Sequence, residues 1–153
     1  MKQETCLKPG APVAPCTYGV SRVPFRGPRK RLDGRYIACL GGSETFGRYV
    51  LQPFPDLLEA ALSEVCVNLG CQNARADLFL RDSAARAVAH DAAACVVQLT
   101  GAQNLSNRFY RVHPRRNDRF LGPSDALRAL YPEVDFTEIA FTRHLGSVLY
   151  RVD

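Results

Sequence analysis

Apolar residues along this chain fall into short continuous runs separated by stretches with helical spacing. Tyr36-Ile-Ala-Cys-Leu40 is the first run, and Gly41 and Gly42 break it, so a strand is predicted there. Pro53-Phe-Pro-Asp56 then opens a helix, since proline suits a first turn where its missing N–H is not needed. Leu57, Leu58, Ala61, Leu62 and Val65 recur at the spacing of one helical face. Val65-Cys-Val-Asn-Leu-Gly70 reads as a buried parallel strand, with Cys71-Gln-Asn-Ala74 as the loop after it. A second helix is predicted over 76–89, with Leu78, Ala85, Val88 and Ala89 inward. Ala94-Cys-Val-Val-Gln-Leu-Thr100 is the third strand, closed by Gly101.

Strand, helix, strand, helix, strand with short connections predicts an α/β protein. The expected architecture is a three-layer α/β/α sandwich around a mainly parallel sheet, with right-handed crossovers. A flavodoxin-like sheet has five strands, and three are found. The third strand would then lie at an edge although its sequence reads as buried. Three outcomes follow: the chain is the N-terminal portion of a longer protein, the edge pairs with another copy as a homodimer, or the C-terminal region covers it.

The flanks are less regular. Pro9, Gly10, Pro12 and Pro15 rule out regular structure over residues 1–17. Residues 18–35 hold Arg22, Arg26, Arg29, Lys30, Arg31 and Arg35, and read first as a solvated basic arm and second as an anion patch. This divides the chain into an irregular basic arm, 1–35, and an α/β domain, 36–153. Residues 101–122 read as a long polar loop rich in Arg and Asn. Ser124 caps a short helix to Leu130, Pro132 stops it, and 137–150 has weak helical spacing.

Composition adds limits. The chain has 153 residues, 46% hydrophobic and 23% charged, as one soluble globular domain requires. A net charge of +5 permits an anionic ligand but does not demand one. No apolar run approaches the ~20 residues of a membrane span, and no apolar leader follows Met1, so a cytoplasmic protein is expected. The cysteines are Cys6, Cys16, Cys39, Cys66, Cys71 and Cys95. None forms Cys-x-x-Cys, so reduced, largely buried thiols and no metal site are expected. Gly41-Gly-Ser-Glu-Thr-Phe-Gly47 lacks both the Gly-Lys-Ser/Thr ending of a P-loop and the G-x-G-x-x-G of a dinucleotide fold, so no cofactor is predicted, although backbone N–H groups at the helix start could hold an anion with Arg48 nearby.

Open α/β sheets bind ligands at the carboxyl ends of their strands. Here those ends offer Gly-Gly-Ser43, Asn68-Leu-Gly70 and Gly101-Ala-Gln-Asn104. A hydroxyl, a backbone N–H and a side-chain amide on one rim would suit acyl transfer: the hydroxyl attacks a carbonyl and the N–H groups hold the oxyanion. In this block order the chain resembles the SGNH (GDSL-type) hydrolase superfamily of esterases, lipases and carbohydrate acylhydrolases. Gly-Ala-Gln-Asn-Leu-Ser-Asn-Arg-Phe-Tyr and His-Pro-Arg-Arg-Asn-Asp-Arg-Phe are similar to an uncharacterised bacterial domain family of that type. The resemblance implies Ser43 as nucleophile, Gly70 and Asn104 (or Gln103) at the oxyanion, and a small-molecule ester as substrate.

The sequence departs from that pattern in three ways. Gly42 stands where the superfamily has Asp beside the nucleophile, the third block is Gly-x-x-Asn rather than Gly-x-Asn-Asp, and none of His90, His113 and His144 has Asp three residues before it. His144 is the better base candidate. The competing expectation is a non-catalytic domain binding an anionic ligand, a nucleotide or sulfate ester, through Arg108, Arg111, Arg115 and Arg116. Nucleic acid is the weaker choice, since basic and aromatic residues interleave easily by chance.

Overall fold

The computed structural model describes residues 14–114 and 116–152. Its centre is a three-stranded parallel sheet packed against helices. Two short strands, β1 (Pro15–Cys16) and β2 (Phe25–Arg26), form an antiparallel pair ahead of it. The sheet strands are β3 (Tyr36–Gly41), β4 (Val65–Gly70) and β5 (Ala94–Val97), in the order β4-β3-β5. Tyr36 pairs with Val65 and Ile37 with Ala94. The helices between them are α1 (Ser43–Phe46), α2 (Phe54–Leu62), α3 (Ala76–Arg81) and α4 (Ser83–His90).

Side chains alternate across the sheet, as the pleat requires. Ala38, Leu40, Val67 and Leu69 share one face and cluster with Leu78 and Phe79 of α3 and Ala85 and Val88 of α4. Cys39, Cys66 and Asn68 share the other, where the Asn68 amide donates to the Thr45 carbonyl of α1 at 2.8 Å.

The expected strands at 36–40 and 65–70 form, and the third is shorter than its apolar run, ending at Val97. The helix expected over 76–89 is two helices. Asp82 breaks it: its backbone is extended, and its carboxylate caps α4 by accepting from the Ala85 N–H at 2.8 Å and from Ser21 Oγ at 2.7 Å. The apolar stripe noted on α2 is largely exposed at Leu57, Ala61 and Leu62. Helical spacing marks an apolar stripe but not what covers it.

Of the expected arm, residues 1–13 lie outside the described residues, and Pro15–Cys16 pairs in β1 despite its proline; Arg22, Arg29, Arg31 and Arg35 are exposed as expected, but the segment that carries them is anchored in the core. Tyr18 and Phe25 are among the largest fully buried side chains, and both belong to the sheet's main core cluster. Burial pushes the Tyr18 hydroxyl up to about 12 although it accepts a hydrogen bond from the Lys30 N–H. Arg26 is buried as well: its guanidinium donates to the carbonyls of Gly47 at 2.7 Å, Leu51 at 3.3 Å, and Phe46 and Val50 at 3.4 Å.

The stretch read as a long loop is a 3₁₀ turn (Ala102–Asn104) followed by a hairpin. Its strands are β6 (Tyr110–His113) and β7 (Arg116–Pro123), with irregular register between Arg111 and His113. Its polar composition hides an inward row: Val112 and Phe120 are buried partners. Helices α5 (Asp125–Leu130) and α6 (Thr142–Val152), with the 3₁₀ turn Phe136–Glu138, close a second apolar cluster of Phe120, Leu127, Phe136, Ile139 and Leu145. No helix among the described residues is long and apolar enough to cross a membrane.

Candidate functional site at the carboxyl rim

The chain leaves β3 at Gly41 and enters α1 directly. Four residues later Gly47 turns it in the left-handed region, φ 65°, with its N–H donating to the Ser43 carbonyl at 2.9 Å. Ser43 thus stands at the end of the central strand. From β3 the sheet extends to β4 on one side and β5 on the other, so this is the topological switch point of the sheet.

Ser43 is half-buried and bonded twice to the loop after β4. Its Oγ accepts from the Asn73 N–H at 3.1 Å and donates to Asn73 Oδ1 at 3.3 Å. Asn73 is in the left-handed region, φ 59°, which Asn tolerates better than most residues. A cavity of about 310 Å³ opens here, lined by Ser43, Arg48, Tyr49, Gln72 and Asn73. Arg48 donates to Gln72 Oε1 at 3.1 Å, and its guanidinium lies 5.5 Å from the centre of the Tyr49 ring.

β5 reaches the same turn from the other side. Gln98 Oε1 accepts from the Gly42 N–H at 2.8 Å and from Thr45 Oγ1 at 2.9 Å, while its amide donates to Glu44 Oε2 at 2.6 Å. That bond from Gln98, with Arg75 adding a weaker attraction, holds the Glu44 carboxyl below its usual range. Arg75 Nε is buried with no hydrogen-bond partner among the described residues.

The three strand ends do meet, but through other residues than the spacing picked out. The Gly70 N–H donates to Asn68 Oδ1 at 2.8 Å inside the core. A methyl group on Gly70 would lie 2.3 Å from the Phe46 nitrogen, so this glycine lets α1 rest on the end of β4. Asn104 accepts from Thr142 Oγ1 at 3.0 Å and so faces the second cluster. His144 is exposed on α6, two residues beyond Thr142. Neither lines the Ser43 cavity.

The arginines of the former loop lie elsewhere too. Arg108, Arg111 and Arg116 are exposed on or beside the hairpin, and Arg108 stacks 4.6 Å from the Phe109 ring centre. Arg115 lies outside the described residues. None of these lines the cavity.

Asn73, Gln72, Glu44 and Gln98 are the site residues that sequence reasoning missed, while Arg48 is the cation noted beside the Gly41–Gly47 turn. Two signals were present: polar Gln72-Asn73 directly after a buried strand, and Gln98 as the one polar residue before Thr100 in an apolar run. Among the described residues no group of three or more His, Cys, Asp and Glu side chains is arranged to hold a metal.

The arrangement offers a hydroxyl, a guanidinium and two amides around one small cavity. It can hold an oxyanion or an ester carbonyl. An amide oxygen, however, is the acceptor facing the Ser43 proton, and it is not a base. No curated protein and no solved structure matches the chain. The whole chain, residues 1–153, matches the family described as "Domain of unknown function (DUF6473)", and it belongs to that family.

Proposed function

We propose that this DUF6473 domain carries an SGNH-like, three-layer α/β/α site that binds a small ligand bearing an oxyanion or ester carbonyl at Ser43. The observation that carries this reading is the cavity of about 310 Å³ formed by Ser43, Arg48, Tyr49, Gln72 and Asn73. Arg48 supplies the charge, the Tyr49 ring supplies an apolar wall, and Ser43 and Asn73 orient the ligand. Small-molecule sites share this pattern of a few convergent polar groups in a concave setting.

A second reading makes Ser43 a nucleophile in ester hydrolysis. Its place directly after the central strand favours this, as the SGNH resemblance implies. Ser43 would attack the acyl carbon, and its proton would pass to a general base and then to the leaving alcohol. Asn73 Oδ1 can align that proton but not accept it, so a base must approach from outside the cavity, with His144 the candidate.

The two readings separate experimentally. p-Nitrophenyl acetate turnover is measured for wild type, Ser43→Ala and Arg48→Ala, alongside the thermal shift given by acetate and sulfate over sodium chloride. Anion-dependent stabilisation lost in Arg48→Ala, without turnover, supports binding. Turnover lost in Ser43→Ala supports hydrolysis. Neither stabilisation nor turnover overturns both.

A further inference from the structure

The two edges of the parallel sheet are finished differently. Along β4, β2 packs against the strand, with Phe25 and Arg26 buried. No described strand pairs with the outer edge of β5. All four β5 residues are exposed, Val96 by 37% and Val97 by 57%, and Leu99 beyond them by 93%. Natural sheet edges are usually blunted by lysine, proline or a bulge. Residues 92–100 contain no charged residue and no proline, in a chain that is 23% charged.

Beside this edge runs an apolar groove of about 690 Å³, lined by Leu40, Phe79, Leu80, Arg86, Ala87 and His90 among others. Leu40 in its lining is the register partner of Val97 in β5. Leu80 on its wall is 65% exposed.

We propose that a second copy of this chain occupies that surface, its β5 running antiparallel to this one about a two-fold axis, giving a six-stranded sheet. An open edge offers a row of backbone donors and acceptors that another strand satisfies. A two-fold interface must be self-complementary, and this one is in charge as well as in hydrogen bonding. The strand is neutral, so pairing it with itself sets no like charges face to face. Helix α4 carries exposed Arg86 in its first half and exposed Asp91 just past its end. When two copies of α4 approach antiparallel, the half that carries Arg86 lies against the partner's helix end, where Asp91 stands. Arg86 is available for this: among the described residues its guanidinium makes one long hydrogen bond, 3.4 Å to the Leu80 carbonyl. Asp91 brings with it the neighbouring His90, 3.0 Å away. The groove then closes over the apolar side chains of the opposing edge. The inference does not depend on what binds at Ser43.

Sedimentation equilibrium of the full chain up to high-micromolar concentration tests it. Wild type is expected at twice the 16.9 kDa of one chain. Val97→Lys and Arg86→Asp, both at exposed positions, are expected at the single-chain mass with unchanged far-ultraviolet circular dichroism. Arg86→Asp combined with Asp91→Arg is expected to restore the dimer. A wild-type monomer at every concentration overturns the proposal, as does a dimer that survives Val97→Lys. Failure of the charge exchange to rescue Arg86→Asp overturns the two-fold arrangement.

Discussion

Gln98 and Gly42 are joined by a 2.8 Å hydrogen bond from the Gly42 N–H to the Gln98 side-chain oxygen. The same oxygen takes the Thr45 hydroxyl, so the residue after β5 fixes the turn that presents Ser43. Replacing Gln98 with Leu leaves both donors without that acceptor and frees Glu44. A loss of about 1–3 kcal/mol is expected, read as a lower urea midpoint with unchanged slope. Amide exchange at Gly42 should rise more than exchange at Leu69 in β4.

Gly70→Ala should be more damaging than a single methyl group suggests. The added carbon meets Phe46 backbone at 2.3–2.6 Å, and backbone cannot rotate away. Either α1 lifts from the sheet or the end of β4 moves. We expect about 3 kcal/mol or more of destabilisation by thermal unfolding, at the upper end of overpacking costs. The anion-dependent thermal shift should fall with it, because α1 carries Ser43.

Arg26→Met should loosen the chain between Gly47 and Leu51. The carbonyls of Gly47, Val50 and Leu51, with that of Phe46 before them, take hydrogen bonds from one buried guanidinium. Removing it costs roughly 2–3 kcal/mol, since the carbonyls left buried lose a charged donor. Limited proteolysis should cut first near Tyr49. Arg26→Lys should recover little, because an ammonium group cannot span the same set of acceptors.

Acid should weaken the rim through Glu44. Its carboxyl is held below the usual value of 4.5 in the folded chain, chiefly by the Gln98 amide. The unfolded state therefore binds this proton more readily. The stabilisation is present above pH 4.5 and is lost as pH falls through the folded-state value. Wild type should lose melting temperature more steeply below pH 4.5 than Glu44→Gln. Equal slopes for the two proteins would refute this.

How far the sequence determined this protein differs from element to element. It determined β3 and β4, because a buried parallel strand needs an unbroken apolar run and glycine ends both. It determined that Ser43 stands on the carboxyl rim, because that follows from strand direction alone. It placed β5 but not its exposure, since Ala-Cys-Val-Val reads the same at a covered and a bare edge. Only the tertiary structure decided that Asn73 and Gln98, not Gly70 and Asn104, meet around Ser43. Those contacts join residues 30 and 56 positions apart in the chain, across strands whose lateral order local spacing does not encode. The same holds for Tyr18, Phe25 and Arg26. They look like a basic arm in sequence and become buried only because β2 packs against β4.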